Sequence, residues 1–361
     1  MAKFIKGMQL SEMFFNEVVK QIIDTNFSDL KYSAGLIGSG SEVLGFDTER
    51  STDHNWGPRV MIFVEEKDFT KKDKISKVFS KQLPAIFRGY STHFGNPNEE
   101  GNQVLSKIKK GQLINHRVEI FTIKSFFEDY LKVDPNNDLN IFDWLTFSEQ
   151  KLRTIQSGKI FYDQIELTNL KSKFEYYPED MWFFLLASEW TKIGQEEAFV
   201  GRCGDVNDEL GSKIIATRLV QSIMRLCFLM EKEYAPYSKW FGTAFAKLKS
   251  AKKLIPIFHK IISSENWQKR EKYLSKAYEV VASMHNELKI TKQLPTKVTE
   301  FHDRPYLVIH GDVFAEKIKK QIKNKDILHI KLNIGSVNQI TNTVDLLEDS
   351  ELSQRMKNLY E

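Results

Sequence analysis

The stretch that most constrains this chain is Ile37-Gly-Ser-Gly-Ser-Glu-Val-Leu-Gly45, with Ser51-Thr-Asp-His-Asn-Trp-Gly-Pro-Arg59 and the apolar run Val60-Met-Ile-Phe-Val64 behind it. A glycine- and serine-rich turn lets backbone come close to a ligand, and its amides can point at an anion. Val60–Val64 reads as a strand buried on both faces, and Pro58 is tolerable only at such a strand's start. Asp53 and Asn55 are two apart, so in an extended segment their side chains leave one face. Two oxygen ligands beside a phosphate-cradling turn suit a divalent cation that carries a nucleoside triphosphate.

Gly40-Ser41-x-x-x-Gly45 followed by Asp53-x-Asn55 resembles the motif of the polymerase-beta-type nucleotidyltransferase superfamily. That motif is Gly-Ser, a spacer, then Asp-x-Asp or Asp-x-Glu entering a strand. From the glycine turn through His302-Asp-Arg-Pro305, the chain resembles an uncharacterised bacterial domain-of-unknown-function family placed in that superfamily. Asn55 departs from the pattern by standing where the superfamily has a second carboxylate. Its carbonyl oxygen can still coordinate but brings no charge.

The resemblance implies an α+β chain. A nucleotidyltransferase-like domain with a small mixed sheet would span residues 1–135, a helical bundle 136–296, and a short α/β tail packed on the bundle 297–361. The active site would lie in the cleft between the first two. Gly38, Ser39, Gly40, Ser41 and Gly45 would hold the phosphates of an NTP. Asp53, Asn55 and a third carboxylate from a later strand, Glu119, would bind Mg²⁺ or Mn²⁺, with Glu119 also serving as general base. The implied reaction moves a nucleotidyl group to an acceptor hydroxyl that the sequence does not identify. The alternative, favoured by Asn55, is a nucleotide-binding regulatory module that has lost efficient turnover. An RNA-end modifier is a third class.

Composition bounds these readings. The 361 residues are 41% hydrophobic, enough for a sizeable core and two or three domains. A net charge of +4 does not favour nucleic acid as partner. Cys203 and Cys227 form no disulfide framework or CxxC motif, no signal peptide is seen, and the longest apolar run, Met181 to Ala187, is too short to span a bilayer. A cytoplasmic protein is expected. No Walker A loop is present, and Val43 stands where a Rossmann turn needs its third glycine. His310-Gly-Asp312 matches the start of a small-molecule kinase loop, but Lys317 stands where that loop needs asparagine.

Periodicity supplies the remaining elements. Leu10, Phe14, Val18 and Ile22 predict a helix over Ser11–Thr25 with Ser11 as N-cap. Tyr32–Ile37 is the first expected strand, Glu42–Leu44 a helix start, and Lys67–Lys77 a solvated connection. The stretch from Leu83 to Asn98, rich in aromatics and breakers, suits a loop folded over a site or a packed Ω-loop. Arg117–Ile123 is the next strand, with Glu119, Phe121 and Ile123 on one face; Glu119 is either a ligand or the partner of Arg117 or a lysine. By simple alternation His54 points away from Asp53.

Beyond the Asp134–Asp138 break the pattern turns helical. Core stripes are legible over 181–190, 211–232 and 267–288, and residues 352–360 form a closing helix. Arg218 and Arg225, seven apart on one helix, either hold a triphosphate or pair with acidic neighbours such as Asp205, Asp208, Glu209 or Glu231. Lys239 between aromatics either contacts phosphate or snorkels.

Overall fold

The computed structural model describes residues 4–99 and 101–360. The chain divides into two compact units, Met1–Leu139 with Lys151–Glu175, and Asn140–Gln150 with Tyr176–Glu361.

The first unit is built on a four-stranded mixed sheet: β1 Tyr32–Leu36, β2 Arg59–Val64, β3 Arg117–Thr122 and β4 Lys159–Asp163, in the order β3-β2-β1-β4. β2 is antiparallel to β1 and parallel to β3, and β4 is antiparallel to β1. β2 is buried along its whole length, as an uninterrupted apolar run requires. β4 explains why the first unit continues past the break near residue 135: the sheet recruits a strand from residues 159–163, which the sequence places inside the expected bundle.

One face of the sheet (Tyr32, Ala34, Val60, Ile62, Val64, Val118 and Ile120) packs on the N-terminal helical segment through Leu10, Phe14, Phe15, Val19 and Ile23. That segment runs Gly7–Phe14, then a π turn Phe15–Val19, then Lys20–Asn26. The π turn inserts one residue, so the buried stripe passes to Val19 and Ile23 instead of the expected Val18 and Ile22. The helix begins at Gly7, and Ser11 is a buried interior residue, not its cap. Lys72–Gln82 is a helix that seats Ile75 and Phe79 in the core, so the expected solvated connection is solvated on one face only.

The other sheet face carries Arg59, Met61 and Phe63 from β2 in register with Arg117, Glu119 and Phe121 from β3. Phe126 packs edge to face on Phe63 (5.6 Å) and Phe121 (5.8 Å), which lie tilted to one another at 6.1 Å, and Phe126 stacks on Tyr130 at 5.4 Å. Phe126 and Tyr130 lie on the helix Ile123–Tyr130, which Thr122 caps by accepting from the Ser125 amide.

The second unit is helical: α1 Glu179–Glu196, α2 Glu209–Met230, α3 Ala251–Ser263, α4 Trp267–Glu287 and α5 Gly311–Lys319 are its longest helices. A two-stranded ladder joins Thr299–Phe301 to Arg304–Val308, with His302 in the left-handed region at the turn. The stretch holding His302-Asp-Arg-Pro305 is therefore part of a hairpin. The His-Gly-Asp stretch is structural here too. Gly311 lies so close to α1 that an added Cβ would sit 2.6 Å from the Trp190 carbonyl oxygen. Glu197 accepts from the amides of Ile309 (2.6 Å) and Gly311 (3.1 Å) where α5 begins. The whole is the α+β architecture expected. Among the described residues no helix is long and apolar enough to cross a membrane.

Candidate functional site

The glycine turn follows β1 at the end of the sheet where β2 and β3 start. Gly38 has φ 82°, Gly40 φ 150° and Gly45 φ 70°, conformations that a side chain would strain. Gly38 rests against Phe126 and Tyr130, and Ser39 Oγ lies 3.4 Å from the Tyr130 hydroxyl. Ser41–Gly45 makes a single hydrogen-bonded turn, not the helix start expected at Glu42–Leu44: the Val43 and Leu44 amides donate to the Gly40 carbonyl, and Phe46 to that of Ser41. The amides of Ser39, Gly40, Ser41 and Glu42 donate to no protein acceptor among the described residues. Successive amides left this way in a turn form an anion-binding concavity.

Two residues that sequence reading passed over hold this turn in shape. Arg59, the first residue of β2, places Nε 2.8 Å from Glu42 Oε1 and donates through its guanidinium to the Ser39 carbonyl at 2.5 Å. Both side chains of the pair are at least nine-tenths buried. Gly40 must stay a glycine because a Cβ would meet both, at 2.6–2.7 Å. The legible signal was an arginine at the mouth of a fully apolar strand, a charge that burial obliges to find a partner. The loop beyond the turn is tied by Asp47, a buried carboxylate that accepts from the Gly7 amide (2.7 Å) and the Trp56 indole (3.1 Å).

The Asp-x-Asn segment is not extended. Asp53 ends a 3-10 turn, Glu49–Asp53, and Asn55 has φ 51°, so the two side chains do not leave one strand face as expected. Asp53 is 66% exposed and its Oδ1 lies 3.0 Å from His54 Nδ1, so His54 turns toward it. Asn55 faces inward. Its Nδ2 donates to Asn102 at 2.7 Å, and its Oδ1 accepts from the Gln103 amide at 3.1 Å and from Arg117 at 2.7 Å. The partners on 102–103 belong to the segment that follows the aromatic, breaker-rich stretch; Phe94 there is fully buried and lies 5.9 Å from the Arg117 guanidinium.

Glu119, on β3, accepts from Arg117 Nη2 at 3.1 Å. One guanidinium thus bridges Asn55 and Glu119, and of the three expected metal ligands the structure brings two together around a cation of its own. Among the described residues no group of three His, Cys, Asp or Glu is arranged to hold a metal ion. Asn55 Oδ1 already accepts twice and Glu119 Oε1 is occupied, so as arranged Asp53, Asn55 and Glu119 do not fit the two-metal set that the resemblance implies.

The expected phosphate contacts of the second unit have partners within that unit. Arg218, exposed on α2, pairs with Glu196. Arg225 pairs with Glu149 at 3.3 Å and donates to Asn342 at 3.1 Å. Neither partner was among the acids weighed from sequence, because both come from outside the local stretch. Lys239 is exposed and lies 5.3 Å from the Trp240 ring, the snorkelled arrangement. A cavity of about 630 Å³ runs along β4, lined by Lys159, Asp163, Lys171 and Glu175 among others; it includes no residue of the turn or the Arg117 cluster.

Residues 144–241 match the family described as Domain of unknown function (DUF4037). Among solved structures the chain is similar to a nucleotidyltransferase-like protein from Exiguobacterium sibiricum 255-15, at 10% identity and a TM-score of 0.34, covering 81% of this chain and 82% of that one. No curated protein matches. The family match bears out the expected domain-of-unknown-function kinship over its span. At that score the solved structure is a loose likeness, and the reading below stands on the residues of the chain itself.

Proposed function

We propose that the first unit takes a nucleoside triphosphate and passes its nucleotidyl group to an acceptor hydroxyl. One observation carries the reading: the amides of Ser39 to Glu42, with no protein acceptor, sit in a glycine turn at the same sheet end as Glu119. Those amides suit the β- and γ-phosphates. The triphosphate enters as its Mg²⁺ or Mn²⁺ complex, the ion being part of the substrate, and Asp53, an exposed carboxylate that follows the turn in sequence, is offered to it.

In the proposed step the acceptor oxygen bonds to the α-phosphorus while the bond to the bridging oxygen breaks. Pyrophosphate departs with that electron pair. The hydroxyl proton passes to Glu119, whose Oε1 is held by Arg117 and whose second oxygen is left to receive it. Phe126 and Tyr130 form the apolar wall behind Gly38.

Pyrophosphate release from each NTP, followed with Mg²⁺ in a cell-metabolite mixture, tests the reading. Release by the wild type and its loss in Asp53→Ala are expected; undiminished turnover in Asp53→Ala overturns the assignment. The contact between Asn55 and Arg117 favours a second reading, a module that binds nucleotide without efficient transfer, since it ties up the position where the superfamily has a metal-binding carboxylate. Nucleotide binding with no pyrophosphate release in any mixture would select that reading.

A further inference from the structure

We propose that Arg117 is a built-in cation, and that its guanidinium holds the place between Asn55 and Glu119 that a second divalent ion would take. The inference rests on the nucleotide reading above. It makes the site one that binds a triphosphate with a single metal ion.

Four observations converge. The sequence has an amide where a second carboxylate is expected, which removes one negative charge. Arg117 replaces the missing ion–ligand contacts with hydrogen bonds, 2.7 Å to Asn55 Oδ1 and 3.1 Å to Glu119 Oε1. Its backbone is fixed by register with Arg59 on the neighbouring strand, so the guanidinium is positioned by the sheet and not by a mobile loop. Phe94 lies beneath it at 5.9 Å, an aromatic face suited to a planar cation. An arginine stays charged throughout the physiological range, so this cation is permanent and independent of metal supply.

The chemistry is consistent in sign. A divalent ion between two carboxylates neutralises two charges; a guanidinium between one carboxylate and one amide neutralises one. Asn55 and Arg117 are therefore a matched pair. Restoring the carboxylate alone should not restore the second metal, because an aspartate at position 55 would simply make a stronger charge-assisted bond to Arg117. Arg117 is a positioning residue in this scheme: it sets the occupancy of the site and the orientation of Glu119.

The test counts Mn²⁺ by electron paramagnetic resonance, on the full chain with a non-hydrolysable α,β-methylene triphosphate. The wild type and Asn55→Asp should each bind a single ion with the nucleotide, and Asn55→Asp/Arg117→Met should bind two. Two ions in the wild type, or two in Asn55→Asp with Arg117 intact, overturn the inference while nucleotide binding, and with it the parent reading, survives. Failure of the wild type to bind nucleotide at all overturns both. Wild type and Asn55→Asp decide the matter even if the double variant does not fold.

Discussion

Two arginine–glutamate pairs, one in each unit, show what burial does to the same chemistry. In the first unit Arg117 and Glu119 keep 16% and 31% of their side chains exposed, at the open end of a sheet beside the glycine turn. In the second, Arg225 and Glu149 keep 11% and 8%, and the Glu149 carboxylate also faces Tyr177 at 3.4 Å. Burial pushes the Glu149 carboxyl up to about 7; Arg225 opposes the shift and the nearby Glu189 adds to it. The first pair is accessible to a ligand. The second is surrounded by its own protein, and its charge state is governed by folding.

Removing one arginine from each pair separates the two environments. Arg225→Met strands Glu149 in the interior and should cost about 3–5 kcal/mol, the usual result of breaking a buried pair. Urea denaturation would measure it. The loss should be greater at pH 8 than at pH 6, because at the lower pH Glu149 can take up a proton. A loss that does not change with pH would mean that Glu149 is not the group left unpaired.

The pH dependence of the second unit sharpens the contrast further. Glu149 and Glu197 are both pushed up to about 7 by burial. Between the ordinary carboxylate range and pH 7 the native state keeps protons that the unfolded chain has released, so each group makes stability fall as pH rises, by at most about 1.4 kcal/mol per pH unit. His285 works the other way: burial lowers it to about 4, so from there to its ordinary value near 6.5 its contribution to stability rises with pH. The two carboxyls outweigh the one imidazole, so the three groups together should make stability fall from about pH 5 to about pH 7. Glu197→Gln should remove its part of that fall, read as urea midpoints across the range; an unchanged profile would dismiss its burial as the cause.

The smallest effect expected is that of Arg117→Met, about 1 kcal/mol or less, as for other part-exposed ion pairs. Thermal denaturation beside Arg225→Met would show the two pairs as structural and ligand-facing by their difference. Equal losses would erase the distinction.

Much of the fold was readable from local pattern. The apolar run Val60–Val64, the alternation in Arg117–Thr122, and the core stripes of α1, α2 and α4 form as their periods require. Long-range pairing was not readable. β4 joins the sheet from beyond the break near residue 135, and the π turn at Phe15–Val19 moves a buried stripe by one residue. Neither has a period of its own: one is a pairing between distant segments, the other a single inserted residue tolerated because the packing accommodates it.

At the candidate site the division is the same. Residue types alone say which chemistry is present: glycines that allow a bare turn, Asp53, Asn55 in a carboxylate's place, and Glu119 on a strand. Folding sets which of these groups hold one another. Arg59 closes on Glu42 because a charge at the start of a buried strand must be paired where it lies. Arg117 reaches both Asn55 and Glu119 because strand register and a loop from residues 102–103 bring three separate segments to one point. Residue type is local information, whereas the partner of a charge is set by the path of the whole chain.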